Sequence, residues 1–387
     1  MTKRILVVNQ SVQYGGGEVY LLQILEALLE RGCAVTVLNC NENVPEKLRL
    51  ELEKLPLQVI YATFSVWRPE SLLVNWRFYR LLAEHDYDLI FFNRTGGWAK
   101  YSDLIPAARL KRKVRLACVE HYHPPAFPIR IRQPFRTIRN ILYCRLQARC
   151  LDAVICVNRA AKLQFSSPLY GFPENRVHVI HNGVDTARFR FEPALRASVR
   201  ASLGIGDKLL VLFCGRLSRE KGPDVLMQAW AALRDEERDR MQLLIIGDGG
   251  MLGELEDQAL QSGVTSSVVF AGFQPDVLGY LCACDIFVMP SREESFGISL
   301  AEAMAVRRYA IATRVGGMPE LMSRDDLGQL IDRDAPDQLA AAIRVAASDP
   351  ALREAVGERA QLHIRENFSA AAMQSRTADV LLGLLRD

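Results

Sequence analysis

Short apolar runs recur along the chain, and each gives way to a polar or glycine-bearing turn. In the first half these runs are residues 4–8, 34–38, 89–92, 114–119, 151–157 and 177–180. In the second half they are 208–214, 243–246, 268–272 and 285–289. Continuous apolar runs of this length predict strands of parallel sheets buried on both faces. Helical periodicity separates them: residues 19–30 carry an amphipathic pattern stopped by Gly32, and another opens at Phe296 and runs to about Val306. From Asp337 on, helical patterns dominate, the last covering 370–385. Strand–helix alternation of this kind predicts two doubly wound, Rossmann-like α/β domains. Residues 186–207 are polar and read as a linker between them.

The richest stretch follows the run at 285–289. It reads PSREESFGISLAEAMA, a polar loop and then a helix start. A helix beginning past the carboxyl end of a parallel strand offers free N–H groups and a positive dipole end to an anion. Glu294 lies in the loop and Glu302 in the helix. With a phosphate on the amides, both carboxylates could accept from sugar or ribose hydroxyls. They could equally be first-turn dipole partners. A second loop, Gly215-Arg216-Leu217-Ser218-Arg219-Glu220-Lys221-Gly222, joins a strand to a helix opened by Pro223. A guanidinium and an ammonium beside free amides suit a diphosphate, or form a solvated charged loop. Gly15, Gly16 and Gly17 follow the first strand, and Gly247-Asp248-Gly249 follows the run at 243–246. Neither has the dinucleotide-binding spacing. His121 ends another strand, a place suited to meeting a ligand, with His123 in reserve.

The glutamates around Phe-Gly before Ala-Met-Ala resemble the signature of GT-B glycosyltransferases, and more closely the retaining subgroup called family 4 (glycosyl transferases group 1). Gly-Arg, four residues, Lys-Gly resembles that family's pyrophosphate clamp, and His181-Asn182-Gly183-Val184-Asp185 its Pro-Asn-Gly-Val-Asp hinge. The resemblance implies two domains facing across a cleft, with residues 1–183 plus the terminal helix 370–387 on the acceptor side. Residues 186–369 would bind the nucleotide sugar, and the last helix would cross back to the first domain. It implies Arg216 and Lys221 on the diphosphate, Glu302 on the ribose, and Glu294 on the sugar. The amides of Phe296, Gly297 and Ile298 would hold phosphate and sugar. Gly15, Gly16, Gly17, Gly247 and Asp248 would line the donor, and His121 would sit by the transferred sugar. No cofactor, metal or protein nucleophile is implied. The expected function is retaining transfer of a sugar to a glycan or glycolipid hydroxyl, in cell-surface polysaccharide or lipopolysaccharide synthesis. An epimerase on the same fold and a non-catalytic sugar-nucleotide-binding relative are the rival readings. Four departures stand out: Val19 replaces an Arg, His181 the hinge proline, and Arg307 and Tyr309 replace Gly and Pro.

With 387 residues and 49% hydrophobic content, the chain has room for two cores. The basic start, Lys3-Arg4, precedes too short an apolar run for a signal peptide, and no run is long enough to span a membrane. The nine scattered cysteines read as reduced thiols of a cytoplasmic protein. Asp86 and Asp88 match an Asp-x-Asp metal motif in form, but they precede a strand rather than ending one. Net charge is +3 overall, yet +9 over residues 1–186 and −6 over the rest. Much of the excess lies between Arg109 and Arg149, where arginines interleave with Phe135, Ile138 and Leu142. That pattern predicts peripheral contact with an anionic membrane, on the inner face of the cytoplasmic membrane. Nucleic acid is not expected, since no binding module surrounds the basic residues.

Overall fold

The computed structural model describes residues 2–9, 15–40, 44–62, 71–94, 104–109, 113–121 and 134–386. The chain divides into two compact units, Met1–Asn182 with Ala371–Asp387, and Gly183–Ala370.

The first unit holds seven strands: β1 (Arg4–Asn9), β2 (Ala34–Asn39), β3 (Gln58–Tyr61), β4 (Leu89–Arg94), β5 (Arg115–Glu120), β6 (Ala153–Cys156) and β7 (Val177–Val179). They form one sheet in the order β3-β2-β1-β4-β5-β6-β7, and every pair is parallel. Chain order reverses between β1 and β4, the kind of switch point where doubly wound sheets open a crevice at the strands' carboxyl ends. The helix Ala370–Gly383 packs here, as the resemblance implies. Thr377 Oγ1 lies 3.1 Å from Tyr20 Oη in the core, and Gln374 Nε2 donates to the carbonyl of Gln23 at 3.0 Å.

The second unit holds β8 (Leu209–Cys214), β9 (Met241–Ile246), β10 (Val268–Phe270), β11 (Ile286–Met289), β12 (Tyr309–Thr313) and β13 (Gln329–Ile331). Their order is β10-β9-β8-β11-β12-β13, again all parallel, with the reversal between β8 and β11. Both sheets are covered by helices, which is why their strands read as unbroken apolar runs.

One expectation fails. The polar segment read as linker contains a helix, Pro193–Leu203, opened by a proline and closed by Gly204 at φ +63°. Its arginines are polar in sequence yet anchored in structure. Arg196 donates to the carbonyl of Ala283 at 2.7 Å and to Asp285 Oδ1 at 2.6 Å. Arg200 reaches Asp285 Oδ2 at 3.2 Å, and that oxygen also accepts the Leu210 N–H at 2.8 Å. The helix is held by charge-assisted bonds, not by an apolar stripe, so periodicity does not reveal it.

Candidate functional site

In the second unit four loops leave the carboxyl ends of β8, β9, β11 and β12 and pack backbone to backbone. Gly316, at φ +56°, has room for no side chain: a Cβ there would lie 1.5 Å from the carbonyl oxygen of Glu294. A Cβ on Gly247, at φ +136°, would lie 1.9 Å from the carbonyl of Gly215. The glycines therefore serve loop-on-loop packing first. The amides of Arg292 and Glu293 both donate to the carbonyl of Glu220, at 2.7 and 3.1 Å. The Arg292 guanidinium grips both carboxylate oxygens of Asp224 at 2.7 Å, and Asp334 at 2.5 Å. Arg292 thus ties the loop after β11 to the first turn of the helix Pro223–Ala231, and pattern reasoning passed over it.

This frame brings predicted residues together. Lys221 Nζ lies 2.8 Å from Glu294 Oε2, a partly buried ion pair, and Glu294 Oε1 accepts the Ser295 N–H at 3.1 Å. Arg216 sits in the same loop as Lys221, its side chain largely exposed and 3.8 Å from Glu220. The helix begins at Ile298, with Gly297 as its cap at φ +96°. That corrects the expected start at Phe296, because the Phe296 ring is core, packed on Phe368 at 5.9 Å. The free first-turn amides are therefore Ile298, Ser299 and Leu300. Asp248 spends a carboxylate oxygen on the Gly249 N–H at 2.7 Å, which holds its own turn.

Glu302 lies on the helix Ile298–Ala305, and burial pushes its carboxyl up to about 8, with Arg188 opposing and Asp276 adding to the rise. Arg188 is itself paired with Asp276 at 3.1 Å. Burial, with Glu302 adding, pushes the Cys214 thiol at the end of β8 to about 12. Arg307 takes φ +64°, the left-handed region that the family's glycine would enter without strain, and Tyr309 is a buried residue of β12.

In the first unit three neighbouring strands carry asparagine at one level: Asn9 and Asn39 are the last residues of β1 and β2, and Asn93 is the last but one of β4. Asn9 is the register partner of Asn39 on one side and of Asn93 on the other. Asn9 Nδ2 donates to Asn39 Oδ1 at 2.9 Å, Asn93 Nδ2 to Asn9 Oδ1 at 3.2 Å, and His121 Nε2 lies 2.9 Å from Asn93 Oδ1. The repeated triplets VVN, VLN and FFN are the trace of this level in the sequence. Tyr20 meets the His121 ring edge-on at 4.7 Å. Burial lowers His121 to about 4, so it is neutral at physiological pH. Beside it, Arg94 and Glu120 form a buried pair at 2.7 Å, and burial pushes the Glu120 carboxyl up against the pull of Arg94.

Gly15, Gly16 and Gly17 lie at the start of the first helix. Gly15 caps the helix Gly16–Glu30 at φ −166°, which any residue can adopt, and its N–H donates to Glu18 Oε2 at 2.6 Å. That amide is occupied by the capping glutamate rather than free for a phosphate. Asp88 Oδ2 accepts the Arg4 N–H at 2.8 Å, so it caps β1 instead of standing open for a metal. No group of three potential metal ligands occurs among the described residues. All nine cysteines are free thiols. His123, Arg130 and Arg132 lie outside the described residues. In the helix Pro134–Cys150, Ile138, Leu142 and Leu146 are 56%, 61% and 41% exposed. They share one face at i, i+4 and i+8, and Arg145 and Arg149 are exposed beside them.

Residues 196–363 match the family described as "Glycosyl transferases group 1", and residues 14–188 match "Glycosyltransferase Family 4". Over 391 residues the chain is 28% identical to a Mycolicibacterium smegmatis GDP-mannose-dependent alpha-(1-6)-phosphatidylinositol monomannoside mannosyltransferase, covering 98% of each. Over 228 residues it is 35% identical to a Jonesia denitrificans D-inositol 3-phosphate glycosyltransferase, covering 56% of this chain and 53% of the relative. Among solved structures, Anabaena HepE in complex with UDP superposes with a TM-score of 0.83 at 23% identity, over 98% of this chain and 100% of the other. That likeness establishes the GT-B fold.

Proposed function

Since the chain belongs to the group 1, family 4-like glycosyltransferases, we propose that it carries out retaining, metal-independent transfer of a sugar from a nucleotide diphosphate to a hydroxyl of a glycan or lipid-linked acceptor. The observation that carries this reading is the Lys221–Glu294 pair beside Arg216 at the carboxyl edge of the second sheet. A diphosphate recruits Lys221 together with Arg216, and their charge stabilises the departing nucleotide. Glu294 then turns from Lys221 to the sugar's hydroxyls. The Ile298–Leu300 amides take phosphate oxygens, and Glu302 takes the ribose. Two cationic side chains do the neutralising work that a divalent metal does elsewhere. UDP in the HepE complex and GDP-mannose in the name of the Mycolicibacterium relative support a nucleotide-sugar donor.

The acceptor side is read from the helix Pro134–Cys150. Its exposed Ile138, Leu142 and Leu146, flanked by arginines, fit an anionic lipid surface carrying the acceptor. No described helix is long and apolar enough to cross a membrane. The phosphatidylinositol monomannoside in the Mycolicibacterium enzyme's name supports a lipid-linked acceptor here.

A thermal-shift screen of UDP-, GDP- and ADP-sugars, without and with EDTA, identifies the donor. NMR of the product then reads the anomeric configuration. Stabilisation by one donor, unaffected by EDTA, with the anomer retained, is the expected result. Dependence on added magnesium, or an inverted product, overturns the mechanism.

A further inference from the structure

The second unit has a cavity of about 300 Å³ at the amino-terminal edge of its sheet, the edge opposite the loops described above. Asp285 enters it just before β11, and Arg307 and Arg308 just before β12. The helix Ile298–Ala305, eight residues and so about 12 Å long, separates this edge from the Ile298–Leu300 amides. Charge here is unbalanced. Arg196 and Arg200 share the single carboxylate of Asp285, which also accepts the Leu210 N–H. Arg308 is held by carbonyls instead: Nε donates to Val306 at 2.9 Å and Nη1 to Cys284 at 2.8 Å. Its guanidinium lies 4.6 Å from the centre of the Phe191 ring, and it makes no ion pair among the described residues. Arg353, on the helix Pro350–Asn367, is likewise tied to carbonyls, those of Ala346 and Ala347. Arg200 included, five guanidiniums gather here against three carboxylates, Asp285, Glu354 and Glu358. Burial, with Arg196 adding, pulls the Arg308 guanidinium below the ordinary arginine value. A cation held only by carbonyls keeps its full charge, and an anion beside it would offset the cost of that burial.

We propose that this cavity binds the phosphate monoester of a small polyol or sugar. The phosphate meets the guanidinium of Arg308, with Arg196 and Arg353 as further donors from two other elements. The Phe191 ring and the two carbonyl bonds hold the Arg308 fork in place, so little rotamer freedom is lost on binding. Glu354 and Glu358 are exposed one turn apart on the helix Pro350–Asn367. They repel a bare anion but accept hydroxyls, which favours a phosphate that carries a hydroxylated body. A volume of about 300 Å³ is at the low end of small-molecule sites and suits a hexose phosphate rather than a nucleotide sugar. Every residue named belongs to the second unit.

Isothermal titration at constant ionic strength tests this, with inorganic phosphate, glycerol 3-phosphate and glucose 6-phosphate as probes and free glucose and potassium chloride as controls. Glucose 6-phosphate should bind more tightly than inorganic phosphate, and neither control should bind. Arg308→Gln should weaken glucose 6-phosphate by about tenfold or more, the worth of a charge-assisted bond. Arg307→Gly should weaken it by about two- to fivefold, as expected for an exposed charge. Glycine enters the φ of +64° at this position without strain, so this variant carries the test if Arg308→Gln does not fold. Glu358→Gln should weaken glucose 6-phosphate relative to inorganic phosphate. Replacing Arg216 and Lys221 together by Ala should leave binding intact. Binding lost in that double variant and kept in Arg307→Gly and Arg308→Gln assigns the phosphate to the loop 215–222 and overturns the proposal. Equal affinity for inorganic phosphate and both monoesters overturns the polyol assignment, and heats that follow ionic strength alone overturn the site.

Discussion

Nucleotide-sugar binding should release a proton, because Glu302 must ionise to accept the ribose hydroxyls. Its carboxyl is pushed up to about 8 by burial, with Arg188 opposing and Asp276 adding. At pH 7 the free protein therefore has roughly one Glu302 in eleven ionised, and demanding the carboxylate costs about 1.4 kcal/mol. Affinity should weaken about tenfold for each pH unit below 8 and level off above it. Isothermal titration with an intact UDP- or GDP-sugar avoids the second ionisation of a free nucleoside diphosphate. Run in two buffers of different ionisation enthalpy at pH 7, it should report close to one proton released. Glu302→Gln should abolish both the release and the pH slope, and it should lose most affinity relative to wild type above pH 8. The sign for folding is the opposite. A carboxyl raised in the folded state contributes stability that is full below its unfolded value of about 4.5 and is lost as pH rises through 8. Without ligand, Glu302→Gln should therefore melt above wild type at pH 8.5. A pH-independent affinity with no proton release would falsify the ribose role of Glu302.

Most of the fold was legible because parallel strands buried on both faces leave unbroken apolar runs, and every run read as a strand is one. The helix Pro193–Leu203 escaped because its anchors are arginines paired to Asp285 and to carbonyls, which read as solvated polar residues. At the site, Arg216, Lys221, Glu294 and Glu302 could be picked out because glycines and a helix start bracket them. What spacing could not reveal is which group each side chain faces. Asp248 and Gly15, for instance, each make a bond within their own turn that spacing does not show. The Asn9–Asn39–Asn93 ladder depends on strand register, a long-range property that no local window contains. Arg292 likewise gains its meaning only when Asp224 and Asp334 arrive from distant segments.

The remaining predictions test the diphosphate loop, its frame and the acceptor face. Arg216→Ala and Lys221→Ala should each lower kcat by about two to three powers of ten, or 2–4 kcal/mol. Only Lys221→Ala should also lower Tm, since it strands the partly buried Glu294 while Arg216 is exposed; equal Tm values would remove the pair as a structural element. Asp224→Asn should cost about 1.5–3 kcal/mol of stability by breaking the bidentate grip of Arg292. Burial alone would raise the Asp224 carboxyl, but Arg292 outweighs it and leaves it lowered. Its contribution is therefore present above the ordinary carboxyl value and lost as pH falls through the folded one. In urea titrations the gap between variant and wild type should close below pH about 4, and a gap that widens there refutes the pairing argument. Last, vesicle flotation tests the helix Pro134–Cys150. Three large apolar side chains stand in solvent on one face of it, at 56%, 61% and 41% exposure, with arginines alongside. Burying a leucine-sized side chain in lipid is worth about 1.5–3 kcal/mol. Each arginine near an anionic surface adds about 1 kcal/mol, a contribution screened by salt. The wild type should float with anionic vesicles at low salt and partly detach at high salt. Leu142→Asp should cut binding at both salt concentrations, because it removes the apolar anchor. Arg145→Gln with Arg149→Gln should weaken binding mainly at low salt, and both variants should keep the donor's thermal shift. Equal flotation of all three proteins, or none by any, leaves the exposed stripe without a lipid role and makes a water-soluble acceptor the better reading.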